Sequence, residues 1–206
     1  MLVIGLTGSI ASGKSLVTKF LKELSARVID ADTVAREVIR PGTPGWLQIR
    51  RAFGEKTLNP DRTVNRKALG SMVFANPEQM KKLNAITHPL IIDQIRAEIN
   101  RFHRGNSDPP RVLVVDAPLL IETGLHQITD EVWVVEVPEE IQVQRLANRD
   151  GLTREQALQR IHSQMPAFEK RKYAQVVIDN SGDMESTRKI VQDLWKQRLG
   201  IRGVDN

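Results

Sequence analysis

Short apolar runs alternate with segments whose apolar residues recur every three to four positions. Leu2–Leu6 is a continuous apolar run, and Val17, Phe20, Leu21 and Leu24 follow at i, i+3, i+4 and i+7. The first pattern suits a strand covered on both faces, the second one face of a helix. Arg27–Asp30 reads as a second strand, 111–116 (RVLVVD) as a third, Glu131–Val137 as a fourth and Gln175–Ile178 as a fifth. Asp183 opens a last helix with Ile190, Val191 and Leu194 on its apolar side. Strands and helices in this alternation build a parallel sheet covered by helices.

The interval 33–110 breaks the alternation. It has no convincing strand, but Trp46, Ile49 and Phe53 form one helical face and Leu69, Met72 and Val73 another. Asn76-Pro77 reads as an N-cap followed by proline at the first helical position. A long helix follows through Met80, Leu83, Leu90, Ile91, Ile95, Ile99 and Phe102. A bend is expected at His88-Pro89, where proline lacks its N–H. GNSDPP (105–110) is the expected loop back to the sheet. The interval reads as a helical insertion between strands two and three, placed as a substrate cover because ligands of such sheets bind at the strand C-termini. A further segment, 138–174, is helical and basic, with Arg145, Arg149, Arg154, Arg160, Lys170, Arg171 and Lys172. Thr153 and Gln156 in it form a capping-box signal. No internal repeat is visible.

Composition narrows the class. Of 206 residues, 40% are hydrophobic and 27% charged, a globular balance. There is no cysteine, which excludes disulfides, Cys-ligated zinc, iron–sulfur clusters and thiol nucleophiles, and fits a reducing compartment. No apolar run approaches the roughly 20 residues of a membrane span. The start, MLVIGLTGSI, lacks the basic segment and cleavage site of a signal peptide. A soluble cytoplasmic protein without a membrane partner is therefore expected. The net charge of +5 suits an anionic partner. With only 4% aromatic residues, a base-stacking surface is poorly supplied, so the expected anion is a phosphorylated small molecule and not nucleic acid.

The sharpest motif is GSIASGKS, Gly8–Ser15, which fits G-x-x-x-x-G-K-[ST] and lies between an apolar strand and an amphipathic helix. Glycines let successive N–H groups turn inward around phosphate oxygens, and the helix adds its positive end. Lys14 is placed to reach the β- and γ-phosphates, and the Ser15 hydroxyl to ligate Mg²⁺. The predicted fold is accordingly α/β: a three-layer P-loop NTPase fold with a five-stranded parallel sheet, a helical substrate-binding insertion and a helical lid. No guanine-reading Asn-Lys-x-Asp stretch occurs, and the chain is short for a remodelling ATPase. A small-molecule kinase is the reading that remains.

Three further positions carry candidate chemistry. Asp32, after the second strand, suits a carboxylate that orients the acceptor hydroxyl and takes its proton. It suits the N-cap of the following helix equally well. Asp30 is expected to cap that helix or to hold a Mg²⁺-bound water. Asp116, ending the third strand, stands where an Asp supports Mg²⁺; capping the strand end before Pro118 is the alternative. Arg145 and Arg149, four apart, share a helix face and suit a lid closing over a phosphoryl group, although a solvated basic face is the default for any one of them. The four histidines have no metal-ligand spacing.

In order and spacing, several segments resemble the dephospho-coenzyme A kinase family: IGLTGSIASGKS, VIDADTVAREVIRPGTP, the NRKALGSMVF–NPE–LN–ITHPLI stretch, VVDAPLLIETGL, RLANRDGLT with QALQRI and QMP, and VVIDNSG. The resemblance implies phosphorylation by ATP of the ribose 3′-hydroxyl of dephospho-CoA, giving CoA and ADP, the last step of coenzyme A biosynthesis. It implies ATP contacts at Gly8, Ala11, Ser12, Gly13, Lys14, Ser15 and Leu16, with Asp179, Asn180 and Gly182 beside the adenine. It implies Asp32 as the base, with Lys14, Arg145 and Arg149 assisting transfer, and acceptor contacts at Asp32, His88, Pro118, Leu119, Leu120 and Glu122. Mg²⁺ would be held by Ser15 and Asp116. The implied organisation is a nucleotide-binding core (1–32, 111–137, 175–206), a CoA-binding insertion (33–110) and a lid (138–174), in a monomer or small homo-oligomer. Ser9 and Leu16 depart from the glycine and threonine common in the family. A P-loop kinase of another nucleotide or nucleoside is the alternative reading.

Overall fold

The computed structural model describes residues 1–74, 76–105 and 112–199. Arg111 and most of the GNSDPP loop lie outside them. The strands are β1 (Leu2–Gly8), β2 (Arg27–Asp30), β3 (Val112–Asp116), β4 (Glu131–Glu136) and β5 (Val176–Asp179). The helices are α1 (Lys14–Glu23), α2 (Ala31–Glu37), α3 (Pro44–Phe53), α4 (Arg66–Phe74), α5 (Pro77–Arg104), α6 (Glu139–Asp150), α7 (Arg154–His162), α8 (Ala167–Arg171) and α9 (Met184–Leu199).

The sheet order is β2-β3-β1-β4-β5. Central β1 pairs in parallel with β3 (Ile4 opposite Val114) and with β4 (Leu6 opposite Trp133), and β4 pairs in parallel with β5. The chain winds from β1 toward β3 on one side and toward β4 on the other. The crevice at the C-terminal end of β1 is therefore the topological switch point where ligands of such sheets bind, and Gly8–Ser15 leaves the sheet there.

By chain contacts the protein forms two units, Met1–Val28 with Gly105–Asn206, and Ile29–Arg104. In the first, Leu6, Phe20, Leu21, Val114, Trp133, Val135, Ile178 and Val191 make one buried cluster. Each such side chain contributes about 1.5–3 kcal/mol on burial. Trp133 is fully enclosed, and its indole N–H donates to Glu131 at 2.8 Å. The second unit is helical and built around Trp46, Ile49, Phe53, Val64, Leu69 and Val73. These are the two faces that the periodicity predicts, plus Val64. Trp46 keeps its indole N–H satisfied on the Arg62 carbonyl at 2.7 Å.

The predicted helix starts are formed as expected. Asn76 accepts from the Glu78 and Gln79 amides, and both halves of the Thr153–Gln156 capping box are present. Helix α5 runs past Pro89 as one element of 28 residues. Ile95, Ile99 and Phe102 on its later turns are buried, and this packing offsets the one backbone bond that proline removes.

Candidate active site

The loop after β1 is a cradle of backbone amides. Ala11 and Gly13 adopt left-handed backbone angles, φ 59° and 84°, so successive peptide groups turn toward one side, as in an anion-binding nest. The Ser12 amide closes a turn on the Ser9 carbonyl at 3.1 Å, and the Ile10 amide is taken by Gln164 at 2.8 Å. The amides of Ala11, Gly13, Lys14 and Ser15 have no acceptor among the described residues. The last two open α1, whose first turn leaves its N–H groups free for an anion. A cavity of about 770 Å³ lies over this loop. The glycines at 8 and 13 are required by space: a Cβ at Gly8 would approach the Val135 carbonyl to 2.6 Å, and one at Gly13 would collide with the Asn180 amide.

Lys14 is ion-paired with Asp116, which also accepts from the Thr18 hydroxyl at 2.7 Å. The carboxylate at the end of β3 thus faces the cradle lysine. The capping alternative for Asp116 is not what the structure shows.

Arg145 and Arg149 both line the cavity but differ in what they touch. Arg149 forms a two-pronged bond with the carboxylate of Asp150, both contacts at 2.9 Å, and this holds the Asp150 carboxyl below its usual range. Arg145 donates to the carbonyls of Ala11 and Ser12, each at 3.2 Å, and of Asn180 at 2.8 Å. Asn180, almost fully buried, donates its side-chain amide to the Ser12 carbonyl at 2.7 Å. Next to it, hydrogen bonds from Ser181 lower the pKa of Asp179.

The family model described as Dephospho-CoA kinase matches residues 2–186. The chain belongs to the dephospho-CoA kinase family. A dephospho-CoA kinase of Geobacter metallireducens is 51% identical over 199 residues, covering 97% of this chain and 98% of its own. A solved Thermus thermophilus structure superposes with TM-score 0.78 at 31% identity, covering 98% of both chains. A dephospho-CoA kinase from Campylobacter jejuni superposes with TM-score 0.74 at 28% identity, covering 97% of this chain and 98% of its own. As a family member the chain is a P-loop kinase that phosphorylates dephospho-CoA in coenzyme A biosynthesis, with ATP as donor.

Within the family's expected acceptor segment, the residues separate. Pro118 lines the cavity, and Leu119 is exposed. Leu120 is fully buried, packed so closely on Gly5 that a Cβ there would meet it at 2.6 Å. It presents no surface to a substrate, and the expectation of an acceptor contact at Leu120 is corrected to a packing role. Glu122 pairs with Lys170 at 2.7 Å, and Lys170 also donates to the Pro118 carbonyl at 2.9 Å. The Thr7 hydroxyl donates to the same carbonyl at 3.0 Å.

In the helical unit, Asp30 is the N-cap of α2, accepting from the amides of Asp32 and Thr33. The capping expected of Asp30 is present, and the capping alternative for Asp32 is corrected: the helix starts two residues earlier, at Ala31. The Asp32 carboxylate is exposed, has no partner among the described residues, and lines a cavity of about 360 Å³ with Arg36 and Arg66. The walls of this cavity include Ile39, Leu69, Val73, Met80, Leu83 and Ile91. His88 sits half-buried on α5, and burial lowers its pKa.

Four residues that the sequence reading assigned no site role hold the site's parts: Thr18, Gln164, Lys170 and Thr187. Gln164 falls in the QMP segment and Lys170 in a basic run that reads as solvated, while Thr18 and Thr187 carry no signal in the sequence. No group of three or more acidic or histidine side chains able to hold a metal occurs among the described residues, and no helix there is long and apolar enough to cross a membrane.

Proposed function

We propose that this kinase transfers the γ-phosphoryl group of ATP to the ribose 3′-hydroxyl of dephospho-CoA, giving CoA and ADP. The observation that carries the reading is the amide cradle: free N–H groups at 11 and 13–15 converging with the α1 N-terminus and Lys14 on one cavity. Such a site neutralises a triphosphate without rearranging at the moment of reaction, which is where electrostatic catalysis gains most.

The acceptor's phosphates and polar groups meet Arg36 and Arg66 in the helical unit's cavity, and its less polar parts the apolar walls. Asp32, on the rim of that cavity, orients the 3′-hydroxyl and accepts its proton. Its exposed, unpartnered carboxylate is what such a base requires. Arg149 draws charge off the transferring group. Ser15 and Asp116 supply one hydroxyl and one carboxylate, a hard oxygen set that suits Mg²⁺ completed by phosphate and water. When bound, that cation neutralises charge on the β- and γ-phosphates. Both substrates are water-soluble anions, in keeping with a cytoplasmic enzyme acting alone or as a small homo-oligomer.

Acceptor-dependent ADP release by the purified protein tests the reading. Dephospho-CoA should stimulate it well above the ATP-only rate, and other nucleotides or nucleosides should not. Asp32→Asn should lower kcat by ~10²–10⁴ with ATP affinity unchanged. Full activity in that variant would remove the base.

A further inference from the structure

The free amides of the cradle are useful only if the loop holds its shape. A peptide group is planar, with C=O and the following N–H pointing opposite ways. Fixing the Ser12 carbonyl therefore fixes the Gly13 N–H, one of the four free donors. That carbonyl receives two donors, the Asn180 amide at 2.7 Å and the Arg145 guanidinium at 3.2 Å. The Ala11 carbonyl receives Arg145 as well, and its peptide partner, the Ser12 N–H, closes on Ser9. Asn180 is itself held from three sides: its amide oxygen accepts from the buried Thr187 hydroxyl at 2.7 Å, its N–H donates to Glu136, and its carbonyl receives Arg145. Donors that the sequence reading directed at nucleotide or adenine are thus directed at the loop's own backbone.

We propose that Arg145 and Asn180, with Thr187 behind them, are positioning residues that clamp the carbonyls of Ala11 and Ser12 and so preform the phosphate cradle. The proposal rests on the triphosphate reading of that loop. It makes the polyphosphate, not the base, the part of ATP whose binding depends on these residues.

Inorganic tripolyphosphate, which has no base, separates the two roles. Affinities for tripolyphosphate and for ATP are measured by calorimetry on wild type, Thr187→Val and Arg145→Met. Thr187→Val changes no charge and nearly no volume. It should weaken both ligands by the same factor, ~2- to 10-fold, the effect of one neutral hydrogen bond. Arg145→Met should weaken both by roughly 10- to 100-fold, as expected for bonds from a charged donor. In steady state the KM for ATP rises while that for dephospho-CoA stays put. If Thr187→Val weakens ATP and leaves tripolyphosphate untouched, the residues serve the base and the proposal falls. Unchanged affinity for both ligands overturns it as well. Wild-type protein that binds tripolyphosphate but phosphorylates no acceptor would sink the kinase reading while leaving the clamp standing.

Discussion

Ala11 carries a side chain at φ 59°, a conformation that costs an L residue about 1–2 kcal/mol. Its methyl group packs against Val143, Leu146 and Ala157, which returns about 0.8 kcal/mol per buried carbon. Ala11→Gly trades one against the other and should shift stability by less than ~1 kcal/mol, seen as a nearly unchanged melting temperature. Gly13 has no such latitude. Its left-handed angle and the Asn180 amide beside it both oppose a side chain. Gly13→Ala should cost well over ~2 kcal/mol at the cradle, lowering kcat/KM for ATP by ~30-fold or more. An active Gly13→Ala enzyme would show that the loop does not need the shape described.

At the scale of elements, α8 is held by an exposed ion pair from Arg171 to Glu136 and by one buried side chain. Lys170 is fully buried, and its ammonium is satisfied by Glu122 and the Pro118 carbonyl. Removing one partner of a buried pair costs ~3–5 kcal/mol. Glu122 keeps some contact with water, so Lys170→Met should cost somewhat less, about 2–4 kcal/mol. Adding Glu122→Gln should recover part of that loss, because no uncompensated carboxylate remains. Urea unfolding of the two single variants and the double variant gives the coupling. On α5, His88 is disfavoured in its charged form by burial. The folded chain therefore takes up this proton less readily than the unfolded chain. Stability is intact above the ordinary imidazole pKa of about 6.5 and is lost as pH falls below it. His88→Gln should flatten the decline in melting temperature between pH 7.5 and 5.5, and an equal decline in both proteins would clear His88 of any part in it.

For the molecule as a whole, a net charge of +5 faces two anionic substrates. Attraction of this kind is screened beyond about 8 Å at physiological ionic strength. Raising salt from 50 to 300 mM should lower kcat/KM several-fold and leave kcat nearly unchanged. How much of this molecule could be read from its sequence follows from the range of the interactions. The strands are apolar runs because both faces are covered, and the cradle is eight consecutive residues, so both are local and legible. The helical faces around Trp46 and Leu69 are legible for the same reason. The clamp on the cradle is not, since Asn180 and Ser12 are 168 positions apart and the acceptor is a carbonyl that every residue possesses. Lys170 reads as a solvated lysine because its neighbours Arg171 and Lys172 are. Whether Asp30 or Asp32 caps α2 turns on a helix start that sequence places only to within a residue or two.

The pairing of Lys14 with Asp116 also bears on which anions the enzyme admits. The ammonium is already answered from within the protein, so a visitor is rewarded only for what it offers beyond a carboxylate. Chloride or a lone phosphate ester offers little more. A chain of linked phosphates, which can engage several amides while it draws the lysine across, offers much more. The internal rival should therefore act as a threshold, so that chloride or a single phosphate competes weakly with a triphosphate before any shape is read.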